Sequence, residues 1–389
     1  NPGAMADIRG VFPHLTGYPL ILSHVLRIFG TEAAVARWFN LFCTLVAVLL
    51  LYQLGKTVFS PGVGRGAALL FALWPGQIYY SSVLAAEHLF VMLMLGVLLL
   101  FASALAGESR TFSGSAGDSR FPFHWVYALG AGIVLSAAHI VRPVASLLIP
   151  AFFLYLLLKP VMMPGDSGAG AGSKRVLWKT ALRRRLPVFL LLLAGFMLTL
   201  TLLNAVYEPR VQVPLGKTGA GFNLYVGTNK ASQGMWNEED WALIEEYGYD
   251  FYWVHTEAWN RGLERIQEDY RDFLLLAEQK YAIQWSVSDY GFYWGMLDTE
   301  RVTAVSLWAE AHRQELQVAS QVYYLSLMWL ILLGLWLSRK ERCASFNTLT
   351  AILFFGFIAM HTLIEVQSRY HHSLVPLFIL TAAWGASRF

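Results

Sequence analysis

The chain carries about nine apolar runs that reach or approach the length of a bilayer crossing, and nothing else constrains its fold as strongly. They cover 34–54, 64–82, 88–106, 125–141, 144–160, 187–206, 322–338, 346–363 and 374–388. In lipid, each backbone N–H and C=O has to find its partner inside the segment, which a helix achieves by itself. The expected fold is therefore an all-α polytopic membrane protein. Composition agrees, with 56% hydrophobic and 14% charged residues and a mean hydropathy of +0.46.

Charge then orients the helices. The loop at 161–186 holds Lys174, Arg175, Lys179, Arg183, Arg184 and Arg185 against Asp166 alone, and Arg339, Lys340 and Arg342 follow the seventh run. Short loops rich in Lys and Arg stay on the cytoplasmic side. That fixes 1–33, 83–87, 141–143, 207–321 and 364–373 as external. The segment 207–321 carries 18 of the 26 acidic residues and 9 of the 29 Lys and Arg, a balance that suits the outside. The same orientation places residue 1 outside. Together with an opening Asn1-Pro2-Gly3-Ala4, which has no initiator methionine, this predicts a further span upstream.

Three parts follow: a transmembrane module over 1–206, an external segment over 207–321, and a transmembrane hairpin with a final span over 322–389. Within the external segment, Ala258, Leu263, Ile266, Tyr270, Phe273, Leu274, Ala277 and Tyr281 recur at helical steps and predict a helix across 257–285. Gly216–Gly234, rich in glycine and small polar residues, reads as an ordered loop beside a ligand. The tryptophans at 236, 241, 253, 259, 285 and 294 suit a water–lipid boundary or the stacking of sugar rings. After His14, Tyr18 and Pro19, an apolar stretch to Gly30 is too short to span and reads as an interfacial helix.

Ionisable side chains gather at the external ends of the spans, where they must be paired, hydrated or used. Glu87-His88 opens one span, and a helix N-terminus alone can account for the carboxylate. His139-Ile-Val-Arg142-Pro143 puts an arginine where the positive-inside bias disfavours it. Its planar fork is suited to two oxygens of a phosphate. Glu365-Val-Gln-Ser-Arg369-Tyr370-His371-His372 is the densest group, with Glu365 expected to orient Arg369 at an i,i+4 spacing. Arg142, Arg369, Tyr370 and His371 are thus candidates for binding a phosphate, and His14, Tyr18, His88 and Asn223 for lining the substrate site. No nucleotide-binding fingerprint, serine–histidine triad or HExxH is present, and no metal ligand set is visible. The two cysteines, Cys43 and Cys343, lie in or beside different spans and make no disulfide framework.

The order of these elements resembles the GT-C superfamily of polytopic glycosyltransferases, in the group of bacterial protein O-mannosyltransferases and lipid A aminoarabinose transferases. The matching pieces are Gly17-Tyr18-Pro19-Leu20 with Phe29-Gly30, Arg37-Trp-Phe-Asn40, Leu73-Trp-Pro75 through Ser81-Ser82 to Glu87-His88-Leu89-Phe90, and Arg142-Pro143. They continue with Gly221-Phe-Asn223-Leu-Tyr-Val-Gly227-Thr-Asn229, Gly234-Met-Trp236 and Arg369-Tyr370-His371 leading to Pro376.

The resemblance implies an inverting transferase in the cytoplasmic (plasma) membrane, with its active site on the extracytoplasmic face. It would move a sugar from a polyprenyl-phosphate carrier to a cell-envelope glycan, lipid or protein. Membrane lipids would be its surroundings, and nucleic acid is not among its partners. An acidic residue in the first external loop would act as base on the acceptor hydroxyl. Here that is Asp7 or a residue upstream of residue 1, with Glu87 as an orienting or second acidic group. A divalent cation such as Mg or Mn could assist departure of the phosphate. Two alternatives share the lipid-linked substrate: an oligosaccharide ligase or polymerase, told apart by the size of the unit added, and a flippase. A flippase predicts polar residues deep within the spans and two repeat halves, whereas the spans here are almost uncharged.

Overall fold

The computed structural model describes residues 10–112, 124–158, 171–297, 303–337 and 346–389. Among them every regular element is a helix. The membrane part begins with α1 (Gly17–Phe29), α2 (Ala33–Val58), α3 (Pro61–Ala72), α4 (Pro75–Tyr80), α5 (Glu87–Phe112), α6 (His124–Val141), α7 (Leu148–Leu158) and α8 (Ala171–Val211). The segment over 207–321, expected to be external, supplies α9 (Ala220–Gly227), α10 (Glu238–Glu246), α11 (Phe251–Glu268), α12 (Tyr270–Trp285), α13 (Tyr290–Leu297) and α14 (Ala304–Ala311). The chain then re-enters through α15 (Arg313–Leu337), α16 (Phe346–Leu363) and α17 (Val375–Ala386). Three short 3₁₀ turns, Pro13–Thr16, Pro143–Leu147 and Ser368–Ser373, sit at helix junctions.

Five helices are long and apolar enough to cross a membrane: Ala33–Val58, Glu87–Ala106, Arg185–Val211, Arg313–Leu337 and Phe346–Leu363. Trp125–Val141, Pro143–Leu158 and Val375–Ala386 are apolar but shorter. The run expected to cross at 64–82 is broken. Proline has no N–H to continue a ladder and forces the residue before it out of the helical region. Trp74 accordingly turns extended, at φ −67° and ψ 111°, and Pro75 starts a new six-residue helix.

The centre of the bundle is α17. Its residues from Val375 to Gly385 are all buried, packed among α2, α3, α15 and α16. Small residues let backbones approach there, since a Cβ on Gly385 would stand 2.7 Å from the Leu330 carbonyl oxygen.

Among the described residues of 207–321 every regular element is a helix, but not as the periodicity predicts. Asp269 turns extended, at φ −153°, and its carboxylate accepts from the N–H groups of Arg271 and Asp272 at 2.9 and 3.1 Å. This cap ends one helix and starts the next, so 257–285 is two elements. The break also rotates the apolar face. Leu276, Ala277, Lys280 and Gln284 are buried, whereas Tyr270 and Leu274 face outward. The loop expected at Gly216–Gly234 contains α9. The segment is fastened internally by Asp240, fully buried, which accepts from Arg265 at 2.9 Å, Asn229 at 3.0 Å and Asn237 at 2.9 Å.

The helices deliver 12–18, 83–87, 141–143, 220–234, 280–294 and 364–373 to one end of the bundle. The basic residues at 339–342 lie outside the described residues.

Candidate active site

Glu87 is the first residue of α5, so its carboxylate sits at the positive end of the helix dipole. Its side chain is only 5% exposed and accepts a hydrogen bond from Arg142 Nη2. Arg142 lies between α6 and the turn that Pro143 begins, in an extended conformation at φ −147°. Its side chain is 29% exposed, and its Nε is buried without a partner. A buried carboxylate of this kind neutralises and aims the arginine.

Arg369 is held differently. It belongs to the Ser368–Ser373 turn, and its guanidinium lies over the indole of Trp294 in α13, 5.0 Å from the ring centroid. A cation over an indole face is attracted without losing its charge. Its Nε is also buried and unpartnered, and no ion pair joins it to a carboxylate among the described residues. Arg142 and Arg369 both act electrostatically on Glu87, Tyr80 and Tyr370. Of the two guanidinium groups only Arg142 is in ion-pair contact with a carboxylate, and two such forks where three junctions meet suit an anion.

The expected Glu365–Arg369 pair does not form. An i,i+4 contact requires one continuous helix, but α16 ends at Leu363 and Gln367 is extended, at φ −145°, before the 3₁₀ turn. Glu365 instead accepts from Gln367 Nε2 at 2.7 Å and from the Tyr370 hydroxyl at 3.0 Å. Burial raises its pKa, against the pull of those two hydrogen bonds and of Arg369 and Lys280. The Tyr370 ring stacks on His361 with centroids 5.3 Å apart.

Three histidines at this end are buried, among them His88 and His371, which were expected to line the site. His371 is fully buried and donates Nδ1–H to the Gln284 carbonyl at 2.5 Å, between Trp285 and Tyr324. Burial pushes its pKa down to about 4, so it is neutral. His372, on the opposite side, lies 4.7 Å from the Trp74 ring and meets the Tyr290 hydroxyl at 2.6 Å. His88 donates Nε2–H to the Tyr80 carbonyl at 3.0 Å and accepts from Gln77 Nε2 at 3.0 Å. All three read as supports, because their burial leaves no face for a substrate.

Tyr18 is a tether. Its hydroxyl donates to Asn40 Oδ1 at 3.2 Å, and Asn40 Nδ2 donates to the Val83 carbonyl at 2.7 Å, holding the turn that leads to Glu87. His14 stands nearer the charges. Burial, then the neighbouring His255 and Arg142, lowers its pKa to about 4, and its Nδ1 is buried without a partner. Asn223 contributes its backbone carbonyl, which accepts the Glu365 N–H at 2.8 Å. Asp7 lies outside the described residues.

Sequence reasoning missed Trp294 and Lys280. Trp294 was one of many aromatics, and no local pattern pairs it with an arginine 75 positions later. Lys280 had a usable signal, since it lies three residues after Ala277 on the buried side of α12. Among the described residues no group of three or more His, Cys, Asp or Glu is arranged to hold a metal ion.

Residues 14–164 match the family of dolichyl-phosphate-mannose-protein mannosyltransferases. The matched stretch carries His14, Tyr18, Glu87, His88 and Arg142 but ends before the external segment and Arg369. No curated protein and no solved structure matches the chain. The family match and the apolar helices support a membrane glycosyltransferase of the GT-C superfamily that uses a lipid-linked sugar donor.

Proposed function

We propose that this protein transfers a sugar from a polyprenyl-phosphate carrier to an acceptor on the extracytoplasmic side of the cytoplasmic membrane. The observation that carries the reading is Arg369, a guanidinium held over an indole with no carboxylate in ion-pair contact among the described residues, near the Glu87–Arg142 pair. A lipid phosphate arriving from the bilayer reaches the ends of the spans, where both arginines stand. Nucleotide sugars are absent on that side, so a donor carried in the lipid is the chemically available one.

In this reading the acceptor hydroxyl loses its proton to a carboxylate base and its oxygen attacks the anomeric carbon. The bond to the phosphate oxygen breaks, and the electron pair leaves with the polyprenyl phosphate. Arg142 and Arg369 stabilise the charge that develops on the departing group, the effect expected of preorganised donors. Glu87 orients Arg142. Paired and buried as it is, it serves poorly as the base, which favours Asp7 or an upstream residue in that role. A divalent ion could share the phosphate with the arginines.

The test is Arg369→Ala, assayed for transfer from purified lipid donor, with folding followed by thermal unfolding. The expected loss is about 10²-fold or more, the scale of removing one transition-state donor. Transfer at the wild-type rate in a folded variant overturns the assignment.

A further inference from the structure

Lys280 is a charged side chain that the proposed chemistry does not use, and it is fully buried. Its Nζ donates to the Gly227 carbonyl at 2.8 Å and to the Thr362 carbonyl at 2.9 Å. These carbonyls belong to the last turns of α9 and α16, ends whose dipoles favour a cation. Thr362 begins the strip of chain that ends in Arg369. The neighbouring Tyr281 hydroxyl meets Thr362 Oγ1 at 2.5 Å. The same strip is tied to the external segment by Glu365 N–H to the Asn223 carbonyl and Val366 N–H to the Gly234 carbonyl, at 2.8 and 3.0 Å.

The approach is close enough to depend on a missing side chain. A Cβ on Gly227 would stand 2.3 Å from the Ile364 carbonyl carbon. Three sequence-remote pieces therefore meet around one buried ammonium: the end of α9, the middle of α12 and the run-up to Arg369.

We propose that Lys280 is a positioning residue for the phosphate site, fixing the strip from Thr362 to Tyr370, and through it Arg369, against the external segment. The inference rests on the transferase reading. It adds a charge to that reading as well as a tether. The ammonium interacts electrostatically with Glu365 and His361 from the α16 side; Glu365 in turn meets Tyr370 and Arg369 of the 3₁₀ turn, Tyr281 on the lysine's own helix meets Thr362, and α9 presents the Gly227 carbonyl. Burial lowers the Lys280 pKa to about 7, and Glu365 opposes that shift. The ammonium is present below that pH and is lost above it. A phosphodiester donor keeps its negative charge across this range, so a change in its affinity reports the protein.

The experiment measures donor KM and kcat from pH 6 to 8.5 for the wild type, Lys280→Met, Lys280→Gln and Arg369→Ala, with thermal unfolding of each. In the wild type, donor KM is expected to rise severalfold as the pH passes through 7. In Lys280→Met, KM is expected to be about tenfold higher with a smaller change in kcat, and its rise near pH 7 to disappear. Lys280→Gln, which keeps an N–H donor without the charge, should recover part of the KM and none of the pH dependence. If both Lys280 variants keep wild-type KM and pH dependence while Arg369→Ala is inactive, the inference fails and the transferase reading stands. If Arg369→Ala is fully active, the reading itself fails. Should neither Lys280 variant fold, a wild-type donor KM that is flat from pH 6 to 8.5 overturns the inference.

Discussion

Arg142 and Arg369 reach the same end of the bundle and are held there by opposite means. Arg142 is aimed by a carboxylate, Glu87, which cancels its charge. Arg369 is aimed by an aromatic ring, Trp294, which leaves its charge intact. The first arrangement gives rigidity and near-neutrality, and the second gives orientation with a free positive charge. A site built from both can hold a phosphate without the mutual repulsion of two unbalanced cations. The division of labour is open to direct attack.

Glu87→Ala should have the largest effect on the fold. It strands Arg142 without its counter-charge, and breaking a buried pair costs about 3–5 kcal/mol. Partial exposure of Arg142 reduces that to about 2–3 kcal/mol, read as a lower midpoint of thermal or denaturant unfolding. An unchanged midpoint would mean that the two arginines do not differ in the way described.

Trp294→Leu comes next. It removes the aromatic face and keeps an apolar, though smaller, side chain, so donor KM should rise about fivefold, in line with about 1 kcal/mol for a partly buried cation–π contact. Trp294→Phe should restore part of that loss. Equal damage from Leu and Phe would show that the indole acts by packing alone. The smallest effect is expected of Tyr370→Phe, which deletes one hydrogen bond to Glu365 while Gln367 keeps the other. It should cost about 1 kcal/mol in stability and change the transfer rate less than threefold. A larger loss of rate would place the Tyr370 hydroxyl on the substrate.

Much of this arrangement was legible in the chain before folding. Apolar length marked the five long helices, and the stretch after Pro19 marked a helix too short to cross, α1, because both depend only on local composition. The gathering of Glu87, Arg142 and Arg369 at one end followed from charge bias in loops that never touch them. What escaped were features decided by local geometry or by distance along the chain. The spacing of Glu365 and Arg369 suggested a pair, but spacing carries that meaning only inside a continuous helix, and the helix stops at Leu363. His371 looked like a ligand because it is polar, yet its surroundings of Trp285, Tyr290 and Tyr324 enclose it completely. Trp294 and Lys280 are joined to the site only by tertiary contacts, which no periodicity encodes.

The position of α17 carries a consequence for how the molecule is made. Every helix packed against it, α2, α3, α15 and α16, precedes it in the chain, and its sides from Val375 to Gly385 are covered. During synthesis those helices must enter the membrane and wait with their inner faces against lipid or one another, because the helix they surround has not yet left the ribosome. The Ser368–Ser373 turn runs directly into α17, so Arg369 cannot take its place over Trp294 until α17 has inserted. The two arginines are thus brought together only after α17 has inserted, and a chain that stops short of α17 lacks the arrangement described above.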